Sequence, residues 1–375
     1  MDEKEGVLME FTKQQMTITK GIAILFMLLL HLFCTKDYLG LFQPWIMIGD
    51  VPLVYYLALF GDCCVAIYCF CSGYGLMVGY RHNREGYHQR NLLRLVKLYI
   101  NYWIIFVIFV VILGFIFNKV DFMLGNPKIV LLAFLGLDTE YYNGAWWFLT
   151  IYIFFVLLSP ILNRLALKYP NWVIILCSLI IYVVAYVQRF KSLIVFDVEL
   201  LDWMVSQLAY FGTSLFPFMV GAIFAKSQIY SQLVKMTKDL KYKNVLCLLI
   251  IVLMIIGHGL VQTLFVAPFI GIIFICIFNL MDKPKSLNQL LLFIGKHSTN
   301  LWLTHMFFYL VYFRQLVFFP KYPLLIYIWL VLLCLLASYV INALNQPISK
   351  WVDIQFKQKL SLKQKPSHKQ RRVTE

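Results

Sequence analysis

The sequence predicts an all-α, polytopic membrane protein with about ten transmembrane helices and both termini in the cytoplasm. Three observations carry that expectation. Of 375 residues, 61% are apolar and 14% charged, against about 25% charged in a soluble domain. The apolar residues fall in repeated runs near the ~20-residue length that crosses a bilayer. Lys and Arg concentrate in every second segment between those runs, as cytoplasmic loops do.

In chain order, the run 18–35 follows an acidic N-terminus, MDEKEGVLMEF, with no cleavable signal, so this span is expected to be retained. The run 51–79 leads into a cytoplasmic connection with Arg81, Arg84, Arg90, Arg94 and Lys97. The run 98–117 opens into the longest external segment, 118–143, in which the apolar stretch 129–137 is too short to cross and is expected to be re-entrant or interfacial. Spans 144–163 and 171–188 flank Arg164 and Lys168, and span 203–225 precedes a lysine-rich connection, Lys226 to Lys243. Spans 244–258 and 263–281 share a short external link; Lys283, Lys285 and Lys296 then precede span 298–313, and span 323–345 comes last. On this assignment 26 of the 33 Lys and Arg face the cytoplasm and seven face outward. A wrong span count would scramble that alternation. The chain thus divides into a cytoplasmic segment 1–17, a membrane domain 18–345 and a basic cytoplasmic tail 346–375, expected to be mobile and to meet anionic lipid headgroups.

Composition also excludes classes. The net charge of +15 belongs mostly to the cytoplasmic face, and no aromatic-basic module accompanies it, so nucleic acid is not expected as a partner. Nine cysteines, mostly inside apolar runs, behave as small apolar residues. The cluster Cys63-Cys64-x4-Cys69-x-Cys71 lacks zinc-site spacing, so no metal is expected. Without a convincing internal repeat, an inverted-repeat transporter is less favoured.

Three ionisable side chains other than Cys and Tyr lie well inside the spans: His31, Asp62 and His305. Such groups are costly in hydrocarbon and are functional candidates by default. Lys20 stands eleven positions before His31. Eleven residues make three turns plus roughly 20°, so both share one helix face, about 16 Å apart. Asp62 reads either as a structural acid between helices or as an orienter of a catalytic His. His305, in a polar stretch with Ser298, Asn300 and Thr304, reads either as interhelical glue or as a cavity group. His258, at a span end, is expected to be interfacial. Arg94 and Lys97, at i and i+3, read as membrane anchors or as a phosphate clamp, with Arg90 one turn earlier.

These residues carry a family resemblance. Lys20-x10-His31 is similar to the Arg-x10-His of the acyltransferase 3 family of integral membrane acyltransferases, with Gly21-Ile-Ala following. Ser72-Gly73-Tyr74 resembles that family's second-span ending, Arg94-x-x-Lys97 its Arg-x-x-Arg, and Trp147-Phe148-Leu149 with Pro160 its aromatic stretch. Gly221 resembles its sixth-span glycine, and Gly295-Lys-x-Ser298-x-x-Leu-Trp302-Leu-x-His305 its ninth-span signature. The six motifs occur in order from about Thr19 to the last span. Lys20 and Lys97 stand where Arg is typical; Lys keeps the charge but loses the bidentate fork.

The resemblance implies a bacterial, multi-pass plasma-membrane O-acetyltransferase. It would transfer acetyl from acetyl-CoA to a hydroxyl of a cell-surface or lipid-linked polysaccharide. His31 would act as general base or acyl relay, with Asp62 and His305 as catalytic partners. Lys20, Arg94, Lys97 and Arg90 would hold the polyanionic donor at the cytoplasmic face. Trp146, Trp147, Tyr152, Ser72 and Asn300 would bind the acceptor. The competing class is a transporter or flippase that uses a midplane His as a proton relay.

Overall fold

A computed structural model describes residues 11–119, 122 and 126–364; the acidic start of the N-terminal segment, residues 1–10, and the end of the basic tail, residues 365–375, lie outside the described residues. Among the described residues the chain builds ten long helices in order. They are α1 Lys13–Phe33, α2 Leu53–His82, α3 Tyr87–Ile116, α4 Trp147–Lys168, α5 Asn171–Lys191, α6 Glu199–Ser227, α7 Lys243–Leu260, α8 Leu264–Leu280, α9 Lys285–Met306 and α10 Pro323–Gln364. Among the described residues eight of these, all but α8 and α9, are long and apolar enough to cross a membrane by length and composition. The protein is therefore an all-α, multi-pass membrane protein, and each of the ten apolar runs read from the sequence overlaps one helix; the run 298–313 differs most, because its helix already starts at Lys285 and so includes Lys296.

Local chemistry accounts for where the helices start and bend. Thr12 opens α1 with a capping box: its hydroxyl accepts from the Gln15 N–H at 3.1 Å, and the Gln15 side chain accepts from the Thr12 N–H at 2.9 Å. Within α2 a tight 3-10 turn, Phe60–Cys63, replaces one turn of α-helix and carries Asp62. The short apolar run of the external segment forms a helix, Pro127–Phe134, begun by Asn126 and its following proline. Its last carbonyls are taken by α3: Tyr102 Oη donates to Ala133 at 2.6 Å, Trp103 Nε1 to Phe134 at 2.9 Å, and Tyr99 Oη to Leu135 at 2.8 Å. At its other end the chain departs from expectation. Helix α10 does not stop at 345 but continues through Pro347 to Gln364, in a stretch where Lys, Gln and Leu favour helix. Lys97 meets this extension in an ion pair with Asp353, 2.6 Å.

Two crossings organise the bundle. At one, α1 meets α9: a Cβ on Gly21 would overlap the Leu291 carbonyl, and a Cβ on Gly295 would overlap the Thr17 carbonyl. At the other, α2 meets α6, where Gly73 abuts the Phe218 carbonyl and Gly221 the Phe70 carbonyl. Small residues bring helix backbones together in membranes, where dispersion replaces the hydrophobic effect as the packing force. Helices α1 and α9 run parallel, since ten residues beyond Gly21 and Gly295 stand His31 and His305, in contact. That direction agrees with seven spans lying between them.

The glycine crossing yields a test. Gly73→Ala is expected to cost roughly 1–3 kcal/mol or more, because the partner is rigid backbone. Gly75→Ala, whose Cβ would meet nothing within 4 Å, is expected to leave stability unchanged or slightly raised. Thermal unfolding in detergent distinguishes them, and equal melting of the two variants would show that the crossing is not tight.

Candidate active site

The helices surround a cavity of about 650 Å³ lined by α1, α2, α4, α6 and α9 with contributions from α3, α5 and α8. Four cations reach it, Lys20, Arg94, Arg189 and Lys296, against one carboxylate, Asp62. In a low-dielectric surround such an excess of positive charge favours an anionic guest.

His31 lines this cavity and touches His305: His305 Nε2 and His31 Nδ1 are 2.8 Å apart. The proton positions follow from what each partner is able to do. The other ring nitrogen of His305, Nδ1, lies 2.8 Å from the Trp302 carbonyl and 3.2 Å from the Leu301 carbonyl. A carbonyl only accepts, so His305 Nδ1 carries a hydrogen. In a neutral ring its Nε2 is then an acceptor, and His31 Nδ1 donates to it. The remaining nitrogen of His31, Nε2, is left with a lone pair. Tyr309 stacks on His305, with ring centroids 6.1 Å apart, and its ring also lies 6.5 Å from that of His31. His305 is fully buried and does not line the cavity; it acts on a substrate only through His31.

Asp62 also lines the cavity, yet its hydrogen-bond partner is His258, Oδ2 to Nε2 at 3.2 Å. His258 is 2% exposed. At the span end where it was expected, His258 is enclosed by protein: α7 runs on to Leu260, and its last turn packs on the 3-10 turn of α2. His258 Nδ1 is buried without a partner among the described residues. An unprotonated Nδ1 is the cheaper state there, with the Nε2–H donated to Asp62.

The expected donor-binding residues separate. Arg94 lines the cavity, supported by Asn91 Oδ1 at 3.1 Å. Asn91 is held in turn by the Val156 carbonyl at 3.1 Å. Pro160 lacks the N–H that would normally bond that carbonyl, so the proline of α4 indirectly positions Arg94. Lys97, expected on the same face, pairs with Asp353 of α10 instead. Arg90 donates to the Gly79 and Asn83 carbonyls at 3.0 and 2.5 Å and so closes the end of α2. Lys20 and Lys296 flank the α1–α9 crossing and take part in the lining.

The acceptor candidates divide as well. Trp147, Tyr152 and Ser72 line the cavity. Trp146 does not: it is fully buried, and its Nε1 donates to the Leu303 carbonyl at 2.9 Å. Asn300 bonds Asn101 at 2.7 Å, Ser338 at 2.8 Å and Asn342 at 3.0 Å, tying α9 to α3 and α10. Sequence reasoning missed His258, Lys296 and Arg189. Arg189 lies in the last turn of α5, and its guanidinium turns inward, 4.8 Å from the Trp147 ring and 4.7 Å from the Tyr210 ring. On the adjoining loop, partial loss of solvent raises the Glu140 carboxyl above its ordinary value, opposed by a Tyr210 hydrogen bond and by Arg189.

Compared with known families, the chain matches a model described as an acyltransferase domain over residues 14–343. No curated protein matches it, and no solved structure does.

The buried acid–imidazole pair is testable independently of chemistry. His258→Ala removes the hydrogen-bond donor to Asp62 and is expected to cost about 1–3 kcal/mol. The double variant with Asp62→Asn is expected to lose clearly less than the two single losses summed. Melting curves of the four proteins would show additive losses if the pair is not coupled.

Proposed function

The chain belongs to the acyltransferase 3 family, and from that premise we propose that it transfers acetyl from acetyl-CoA to a hydroxyl of a cell-surface or lipid-linked polysaccharide at a bacterial plasma membrane. The observation that carries this reading is the hydrogen-bond order Trp302 carbonyl, His305, His31, which leaves His31 Nε2 with an open lone pair beside the cavity.

The chemistry follows from that lone pair. A sugar hydroxyl is a poor nucleophile near neutral pH. His31 Nε2 takes its proton as the oxygen attacks the thioester carbonyl. The new C–O bond forms, the C–S bond breaks, and the coenzyme thiolate leaves with the proton from His31. While His31 is an imidazolium, its Nδ1–H donates to His305, so the developing charge is spread without movement of either ring. His305 is a positioning residue, because it touches His31 and not the cavity.

Charge supports the direction of transfer. The concentration of Lys and Arg in alternate segments puts Lys20, Arg94 and Lys296 toward the cytoplasm. They suit the phosphates of a cytoplasmic acyl-CoA. His31 lies ten residues beyond Gly21 along the helix, about 15 Å deeper. The thioester is thereby presented near the external half, where Trp147 offers an aromatic face to a sugar.

His31→Ala is expected to lower polymer O-acetylation by about 10²- to 10⁴-fold with polymer export unchanged, read by NMR of the surface polysaccharide. Unchanged acetylation would exclude His31 as the base; lost export would favour the transporter reading. Lys20→Arg, which keeps the charge, is expected to retain activity within a few-fold.

A further inference from the structure

Arg189 is a cation without an adequate partner. It lies near the end of α5, next to a loop and remote in sequence from the donor-side cations. Among the described residues its hydrogen bond goes to Thr213 Oγ1 and is long, 3.5 Å. None of the four ion pairs among the described residues includes it. Glu140 acts on it through space but keeps outside ion-pair distance and shares a hydrogen bond with Tyr210. What surrounds the guanidinium is aromatic: Trp147, Tyr210 and, at 5.5 Å, Phe190. Arg189 is half-buried, and cation–π contacts of this kind contribute about 0.5–2 kcal/mol each without giving its N–H donors an acceptor.

The rings also restrict where a partner enters. Trp147 and Tyr210 stack on each other with centroids 5.0 Å apart; Trp147 lines the cavity and Tyr210 backs it, so the Trp147 ring is the aromatic surface beside the guanidinium. Both Arg189 and Trp147 line the same cavity as His31. Five N–H donors therefore meet only one long hydrogen bond, next to a flat aromatic surface. That combination recognises an oxyanion carried on a ring: the guanidinium fork takes the anion and the aromatic wall packs on the sugar.

We propose that Arg189, with Trp147 and Tyr210 beside it, forms a subsite for an acidic sugar, so that the acyl acceptor carries a carboxylate or a phosphate. This inference rests on reading the cavity as an acyl-transfer site. It adds the acceptor class: a neutral sugar leaves Arg189 unpaired, whereas an acidic one neutralises it and fixes the ring against the aromatic wall. Separation of the charges then sorts the two substrates. Donor phosphates meet Lys20, Arg94 and Lys296, and the acceptor anion meets Arg189.

The test uses purified full-length protein in detergent and intrinsic-fluorescence titration with glucuronate, glucose 6-phosphate and glucose, with acetyl-CoA titrated separately. Wild type is expected to bind at least one acidic probe and to bind glucose much more weakly. A response to glucuronate alone identifies a carboxylate, and a response to glucose 6-phosphate alone a phosphate. Arg189→Gln is expected to weaken the acidic probe roughly 10- to 100-fold, and Arg189→Lys to weaken it less. Acetyl-CoA binding is expected to be unchanged in both, which also shows that they fold. The subsite is overturned if glucose binds as well as the acidic probes, if none of the three binds, or if Arg189→Gln leaves acidic binding intact. It is likewise overturned if Arg189→Gln removes acetyl-CoA binding instead. Failure of wild type to bind acetyl-CoA would count against acyl transfer itself, while the response to the acidic probes would still decide the subsite.

Discussion

The close approach of α1 and α9 is the constraint on which the site depends. Two imidazoles 2.8 Å apart on different helices require those helices to nearly touch, and glycine at Gly21 and Gly295 lets the backbones meet. From that point both helices run in the same direction, and ten residues later each presents its histidine to the other. The same residues that resemble family motifs in the sequence thus have a packing role. Gly73 and Gly221 do the equivalent for α2 and α6, the pair that frames the opposite wall of the cavity.

Polar groups in the bundle fall into two kinds. One kind is satisfied by other polar groups and holds helices together. Asn101, Asn300, Asn342 and Asn345 connect α3, α9 and α10 in this way. Tyr87, Ser159 and Asn163 connect α3 to α4. The other kind keeps donors or acceptors facing the cavity: Lys20, Arg94, Arg189, Lys296, Asp62 and the open nitrogen of His31. Unmet polar groups are expensive in hydrocarbon, so the second kind stands only where a wet or liganded space receives it. Asn91 joins the two kinds, because it takes the carbonyl freed by Pro160 and at the same time supports Arg94.

Much of this was legible along single helices. The Lys20–His31 stripe and the depth of His31 follow from helical rise and from charge counting alone. Trp147, Tyr152, Ser72 and Arg94 line the cavity. Where the expectation and the structure part, the question always involved a second helix. Arg94 and Lys97 lie one turn apart, yet one faces the cavity and the other faces Asp353 of α10. Trp146 and Trp147 are neighbours, but one is locked to the Leu303 carbonyl and the other is open to the cavity. Asp62 had no partner that spacing identified; its partner is 196 residues away.

The sequence by itself determined which segments form the long helices and which residues carry the charges that a bilayer would exclude. Apolar run length and residue type are properties of one segment and need no partner to be read. Tertiary structure alone decided that His31 pairs with His305 and Asp62 with His258, and that Arg189 turns inward. Each of those outcomes depends on how two helices cross and how each is rotated about its axis. Glycine contacts and interdigitated side chains set those angles jointly, so neither helix encodes them alone.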